Sequence, residues 1–220
     1  MKILVLDIGG NNVKIQSSEQ TEKRKFASGP DLTPQRMVAG VKELSADWNY
    51  KAISIGFPGP VRNNRPEREP INLAKGDWVN FDYEKAFNYP VKMINDAAMQ
   101  ALGSYKGDKM LFLGLGTGLG TTLIDDGHIF AMELGHLPYK KKRTFEEYIG
   151  TAGLKKTGKK KWKKNVFNVV NILKAALLPD YIVLGGGNSK QLLELPPHTH
   201  LGNNANAFLG GFRLWDKPHS

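Results

Sequence analysis

The chain of 220 residues contains no cysteine. Disulfides and thiolate metal sites are excluded, and the absence fits a reducing compartment. No apolar run approaches the roughly 20 residues of a membrane-spanning helix. The start, Met1-Lys2 followed by "ILVL", is too short for the apolar region of a signal peptide. A soluble, cytoplasmic protein with no membrane partner is expected. Two common phosphate signatures are also missing. Nothing matches G-x-x-x-x-G-K-[ST]. "GLGTGLG" misses the dinucleotide spacing G-x-G-x-x-G because Leu119 stands where glycine is needed, and it leads into a strand and not a helix.

What the chain does have is positive charge, +10 in all, and it is unevenly placed. Residues 140–164 hold eleven Lys or Arg and two acids, Glu146 and Glu147, while the remainder carries 20 bases against 19 acids. A local cluster of this kind points to a face for polyanions more than to general solubility. Few aromatics are interleaved with it, so base stacking, and with it nucleic acid as a partner, is not expected.

Hydrophobic patterning gives an alternation of strands and helices. "KILVL" reads as a buried strand ending at Asp7, and "VKIQSS" as its hairpin partner across Gly9-Gly10-Asn11-Asn12. A helix is predicted in "TPQRMVAGVKELSADW", with Thr33 as N-cap. "AISIGF" is a strand, residues 62–78 a loop, and "PVKMIND" a strand running into the helix "AAMQALGSY". "KMLFLGLGTGLGTTLIDDGHIF" reads as two strands around a glycine turn. A helix beginning near Trp162 is expected to bury Val166, Phe167, Val170, Leu173 and Leu177, and "YIVLGGG" is the last strand. His198 and His200 are expected in an exposed tail, and "GGFRLWDKPHS" to pack in its own way. Two hairpins with Gly-rich turns suggest two related lobes. At such tips glycine lets backbone N–H groups converge on an anion, and Thr117 adds a hydroxyl. The alternative is a tight turn with no ligand.

In order along the chain, "LDIGGNNVK", "IGFPGPV", "INLAKGDW", "VKMINDAAMQALG", "LGLGTGLGTTL", "ELGHL", "EEYIG" and "YIVLGGGNSK" resemble the sugar kinases of the ROK family, most closely its polyphosphate glucokinases. The resemblance spans roughly Lys2 to Phe212. It implies an α/β, actin-like (ribonuclease-H-like) ATPase fold, with two lobes and a cleft between them. Residues 1–96 would form the first lobe and 97–220 the second. It also implies a phosphotransferase moving a phosphoryl group from polyphosphate, ATP or both to the 6-hydroxyl of glucose, with Mg²⁺.

The same resemblance implies roles. Local sequence alone makes Asp96 an N-cap for a helix starting at Ala97; the resemblance makes it the general base that accepts the sugar hydroxyl proton. Asn72, Asn95, Glu133, His136 and Glu146 would contact the sugar. Asp7 would hold Mg²⁺ through a water. Gly9, Gly10, Asn11 and Asn12 would form the first phosphate loop, and Gly116, Thr117 and Gly118 the second. Gly185, Gly186 and Gly187 would line the distal end of the donor, unless they form a plain turn. Lys14 reads as a solvated strand lysine. Lys159, Lys160 and Lys161 would guide polyphosphate toward Gly116–Gly118. Asn11 stands where the family usually has Thr, and Ala131-Met132 where polyphosphate glucokinases commonly have Asn and Thr. The cysteine-rich zinc loop of many relatives is replaced by "YKKKRTFEEY", so no structural zinc is expected. The resemblance leaves a homodimer open. An ATP-only kinase for another hexose, and a catalytically impaired regulatory protein binding sugar or a polyanion, are the alternatives. Sugar-responsive repressors of the family carry a helix-turn-helix ahead of the sugar-binding part; here the first motif begins at residue 2.

Overall fold

The computed structural model describes residues 1–203 and 205–216. Its described residues divide into two units: Met1–Met99 together with Ala207–Asp216, and Gln100–Asn206.

In the first unit, β1 (Ile3–Ile8), β2 (Asn12–Ser17) and β3 (Arg24–Ala27) form an antiparallel meander. α1 (Pro34–Leu44) crosses back to β4 (Ala52–Phe57), which lies parallel to β1. Thr33 caps α1, its hydroxyl accepting from the Arg36 N–H at 3.3 Å, and Pro34 fixes the first helical φ. Met37, Val38 and Val41 are the buried face of α1. β4 is buried at all six positions, as a central strand covered on both faces must be. The loop beyond it contains a two-rung hairpin, β5 (Val61–Arg62) and β6 (Arg65–Pro66), and is followed by α2 (Tyr83–Phe87). β7 (Val91–Asn95) adds in parallel to β4 and runs directly into α3 (Asp96–Ser104). The sheet order is β3-β2-β1-β4-β7.

The second unit repeats that plan. β8 (Met110–Leu115), β9 (Leu119–Asp125) and β10 (His128–Met132) form an antiparallel meander. α4 (Phe145–Ile149) and α5 (Thr151–Leu177) cross to β11 (Tyr181–Gly185) and β12 (Thr199–Leu201), both parallel to β8. The order β10-β9-β8-β11-β12 is the same path through the sheet as in the first unit. Trp162, Val166, Val169, Val170 and Leu173 of α5 pack on Leu111, Leu113, Ile182 and Leu184.

The last helix, α6 (Asn206–Arg213), returns to the first sheet. Ala207 and Phe208 join Ile3, Val5 and Met99 in a core on the face opposite α1. A Cβ on Gly211 would fall 2.3 Å from a methyl of Val5, so only glycine permits this approach. Ser54 Oγ donates to the Gly211 carbonyl at 2.6 Å and accepts from Trp215 Nε1 at 2.9 Å.

Several details differ from the sequence reading. "HIF" begins a third strand, β10; Asp126 (φ 47°) and Gly127 (φ 74°) make the two-residue turn before it. The long helix starts at Thr151 instead of near Trp162, and the lysines lie within it; Gly158 (φ 74°, ψ 161°) interrupts it and restarts it at Lys159. Phe167 is only half-buried, and Val169 takes its place in the core, because 166, 169, 170 and 173 share one helical face. His198 and His200 are exposed, but His200 lies on β12 and not in a tail. The sequence reading puts 97–220 in the second lobe, whereas 97–99 and α6 from Ala207 group with the first unit. The final residues of "GGFRLWDKPHS", 217–220, lie outside the described residues. Among the described residues no helix is long and apolar enough to cross a membrane.

Candidate functional site

In the first unit the parallel strands β1, β4 and β7 end on one edge of the sheet, since Asp7 is in register with Gly56 and Phe57 with Asn95. That edge carries Asp7, the Gly9–Asn12 turn and the Asn95-Asp96 pair. The turn is closed by Gly9 N–H donating to the Asn12 carbonyl at 3.0 Å. It is held from outside by Ser28, whose N–H donates to the Asn11 carbonyl and whose hydroxyl donates to the Gly9 carbonyl. Asn72 is exposed beside Gly10. Its loop is pinned by the buried Leu73 and Trp78, the latter donating through Nε1 to the Ala74 carbonyl at 2.8 Å.

The pair at the start of α3 divides its labour differently from what local sequence suggests. Asn95 is the N-cap: its Oδ1 accepts from the Ala98 N–H at 3.1 Å, and its Nδ2 donates to the Gly59 carbonyl at 3.1 Å. Asp96 is the first helical residue, half-buried, with Oδ1 accepting from the Ala97 N–H at 2.7 Å. Capping therefore does not account for Asp96. Asn95 keeps one lone pair and one N–H beyond these two bonds. Lys14 is not simply solvated: its Nζ lies 3.3 Å from Asp7 Oδ2.

In the second unit, Glu133, His136 and Glu146 come together. Thr121 Oγ donates to the Met132 carbonyl and accepts from the Leu134 N–H, fixing the turn out of β10. The 3₁₀ turn Leu134–His136 follows, and its three-residue repeat sets His136 on the same side as Glu133. The two ring nitrogens of His136 lie 3.3 Å from Glu133 Oε2 and 3.5 Å from Glu146 Oε1. Of the two acids in "TFEEY", Glu147 turns back to accept the Thr144 N–H at 2.8 Å, which leaves Glu146 facing His136. The other oxygen of Glu146 lies over the glycine turn: a Cβ on Gly118 would sit 2.5 Å from Oε2.

The Gly116–Gly118 turn joins β8 to β9 and packs against the start of α5. A Cβ on Gly150 would meet the Thr117 carbonyl at 2.6 Å. Gly116 O accepts from Thr151 N–H (2.9 Å), Thr151 Oγ1 (2.9 Å) and Asn188 Nδ2 (3.0 Å). Asn188, in "LGGGNSK", is a polar residue just after a strand-end glycine run, and that placement is its signal in the sequence. Gly186 has φ 80° and a Cβ there would lie 2.4 Å from the Leu115 carbonyl. A Cβ on Gly185 would press on Phe112 at 2.4 Å. Packing alone thus requires both glycines, while Gly187 faces open space.

Lys159, Lys160 and Lys161 are exposed at the restart of α5. Lys160, Lys163, Lys164 and Phe167, at positions i, i+3, i+4 and i+7, line an open groove of about 360 Å³. Lys140 Nζ lies 3.3 Å from Asn165 Oδ1, so the basic loop at 140–143 adjoins the basic helix. Lys163 also pairs with Glu194, whose carboxyl it holds below the ordinary range.

No group of three or more His, Asp or Glu side chains that could hold a metal occurs among the described residues. Magnesium does not require one, because it takes one or two carboxylates and completes its shell with water and substrate phosphate. Asp7 at a strand end next to a glycine turn fits that donor set.

Two sheets of one strand order, each with a glycine-rich hairpin after its first strand, define the actin-like, ribonuclease-H-like ATPase fold. The inorganic polyphosphate/ATP-glucomannokinase of Arthrobacter sp. strain KM superposes with a TM-score of 0.81 at 22% identity, covering 96% of each chain. The chain belongs to the ROK family, whose model matches residues 3–157. Polyphosphate glucokinase of Mycobacterium tuberculosis (strain H37Rv) is 23% identical, over 84% of this chain and 77% of its own. N-acetyl-D-glucosamine kinase of Photobacterium profundum is 38% identical, over 59% of this chain and 50% of its own.

Proposed function

We propose that this chain is a phosphotransferase with a sugar hydroxyl as acceptor, moving a phosphoryl group from polyphosphate, ATP or both to the 6-hydroxyl of glucose. The observation that carries the reading is Glu146. One carboxylate oxygen faces His136, which also meets Glu133, a set suited to a ring of hydroxyls, and the other lies beside Gly118. The polyol set thus adjoins the glycine turn, whose backbone N–H groups suit a phosphate.

Asp96 acts as general base, accepting the hydroxyl proton and aligning the oxygen. Asn72, Asn95, Glu133, His136 and Glu146 orient the sugar. Gly116–Gly118 hold the donor phosphates through backbone N–H groups, Gly9–Asn12 serve as the first loop, and Gly187 faces the donor's far end. Asp7 would hold Mg²⁺ through a water, which when bound neutralises charge on the transferring group. Polyphosphate as donor is favoured by α5. Its first residue braces the glycine turn, and Lys155 lies four residues on, about 6 Å along the axis. Beyond the break at Gly158, Lys160, Lys163 and Lys164 line an open groove.

The test is glucose 6-phosphate formation with Mg²⁺ and either polyphosphate or ATP, alongside Asp96→Asn. Product from polyphosphate, lost in the variant, supports the reading. Product from ATP alone removes the polyphosphate part. No product with either donor, from glucose or other hexoses, overturns it.

A further inference from the structure

The Gly116 carbonyl receives three hydrogen bonds, from Thr151 N–H, Thr151 Oγ1 and Asn188 Nδ2. Asn188 Nδ2 also donates to Thr151 Oγ1 at 2.9 Å, so the threonine hydroxyl accepts from Asn188 and donates to the carbonyl. This is more than a carbonyl with two lone pairs needs for satisfaction. Its consequence follows from peptide geometry. A trans peptide is planar, with its C=O and N–H pointing in opposite directions, and the described chain has no cis bond. Clamping Gly116 C=O toward α5 therefore aims the Thr117 N–H the other way, out of the turn. No acceptor among the described residues takes the N–H of Thr117 or of Gly118.

We infer that Thr151 and Asn188 are positioning residues that pre-orient the Thr117 N–H toward a donor phosphate oxygen. The inference rests on the reading of Gly116–Gly118 as the phosphate loop. A turn free to flip its Gly116–Thr117 peptide would present a carbonyl to the anion in part of its population, and the clamp removes that state. The side chains act through the backbone and make no contact with the phosphate themselves.

The experiment uses the full chain and tripolyphosphate as probe, with binding measured by calorimetry for the parent, Thr151→Val, Thr151→Ser and Asn188→Ala. Glucose binding and the thermal midpoint are recorded for each, and product formation is followed in parallel. Losing one charge-assisted hydrogen bond should weaken tripolyphosphate binding about tenfold in Thr151→Val and in Asn188→Ala. Thr151→Ser, which keeps the hydroxyl, should bind like the parent. Glucose affinity should be unchanged throughout, and the kinetic loss should appear with the phosphoryl donor and not with the sugar. Parent-like tripolyphosphate binding in the valine and alanine variants overturns the inference. So does an equal fall in glucose and tripolyphosphate affinity, or failure of serine to restore binding. If the parent forms product while these variants are unaffected, the inference alone is lost. If the parent neither binds tripolyphosphate nor forms product, the phosphate-loop reading falls with it.

Discussion

Gly118 leaves room for the Glu146 carboxylate that a side chain at this position would take. The atom that a Gly118 side chain would strike is the end of a flexible carboxylate and not backbone. Gly118→Ala should therefore fold with a thermal midpoint near that of the parent, but push Glu146 off its place beside His136. Its KM for the sugar should rise about tenfold, the effect of losing one hydrogen bond to a charged group. A sugar KM equal to the parent's would separate Glu146 from sugar binding. Asp96→Asn tests the proton transfer: kcat should fall about 10²- to 10⁴-fold with sugar affinity retained, measured by calorimetry and initial rates. At this scale the sequence was read only in part. "ND" before a helix shows two residues able to cap it, and pattern does not say which one does. The cap is Asn95, because Oδ1 reaches the third helical N–H and the other end of the amide is tied to Gly59. Thr151 carried no local signal, and Asn188 only its place after a strand-end glycine run. Their significance lies in sharing the Gly116 carbonyl, across 35 and 72 residues of chain.

Among the elements, α5 departs furthest from its sequence reading. The sequence reading places the lysines ahead of a helix beginning near Trp162, where cations oppose the N-terminal dipole. The helix nevertheless extends through them, because Leu154 and Trp162 give the outer segment apolar contacts on the second core. Trp162 is fully buried and donates to the Ile149 carbonyl at 2.7 Å. Trp162→Ala should cost about 3–5 kcal/mol in urea unfolding of the second unit. Gly158 is exposed, at φ 74° and ψ 161° in a region essentially confined to glycine, with open space around it. Gly158→Ala should cost about 1–3 kcal/mol through backbone strain alone, or straighten the helix; circular dichroism would register the second outcome as a gain in helix. In the first unit, Arg24 on β3 stacks on Trp48 and pairs with Asp47 beyond the end of α1. The Arg24 hydrogen bond holds the Asp47 carboxyl below its ordinary range. Its contribution to stability is thus present above the ordinary carboxylate pKa of about 3.9 and is lost as pH falls through the lowered folded value. Asp47→Asn should lower the urea midpoint slightly at pH 7 and leave it unchanged once the parent carboxyl is protonated. The effect is small because the pair is exposed.

For the whole molecule, the repeated Gly-rich hairpins announced two related lobes, and the duplicated strand order accounts for that resemblance. The return of α6 to the first sheet carried no local signal, since an amphipathic helix does not state which of two sheets it will cover. The basic surface makes a prediction at this scale. Replacing Lys159, Lys160 and Lys161 with Gln should weaken long-chain polyphosphate binding and flatten its salt dependence, because fewer counterions are released. ATP affinity should stay as in the parent. An unchanged salt slope, from binding titrations at several ionic strengths, would leave the lysines without a role in donor capture.

The placement of α6 also bears on the order in which a ribosome makes the protein. Domains generally fold as units, N-terminal first, while synthesis proceeds. Here the first sheet's second face is covered by residues at 207–213, which emerge only after the whole second unit. Until then Ile3, Val5 and Met99 lack Phe208 above them, so the first unit is completed after the second. Nascent chains stalled before residue 206 should be more protease-sensitive across Met1–Met99 than across Gln100–Leu201, and release of the full chain should reverse that ranking.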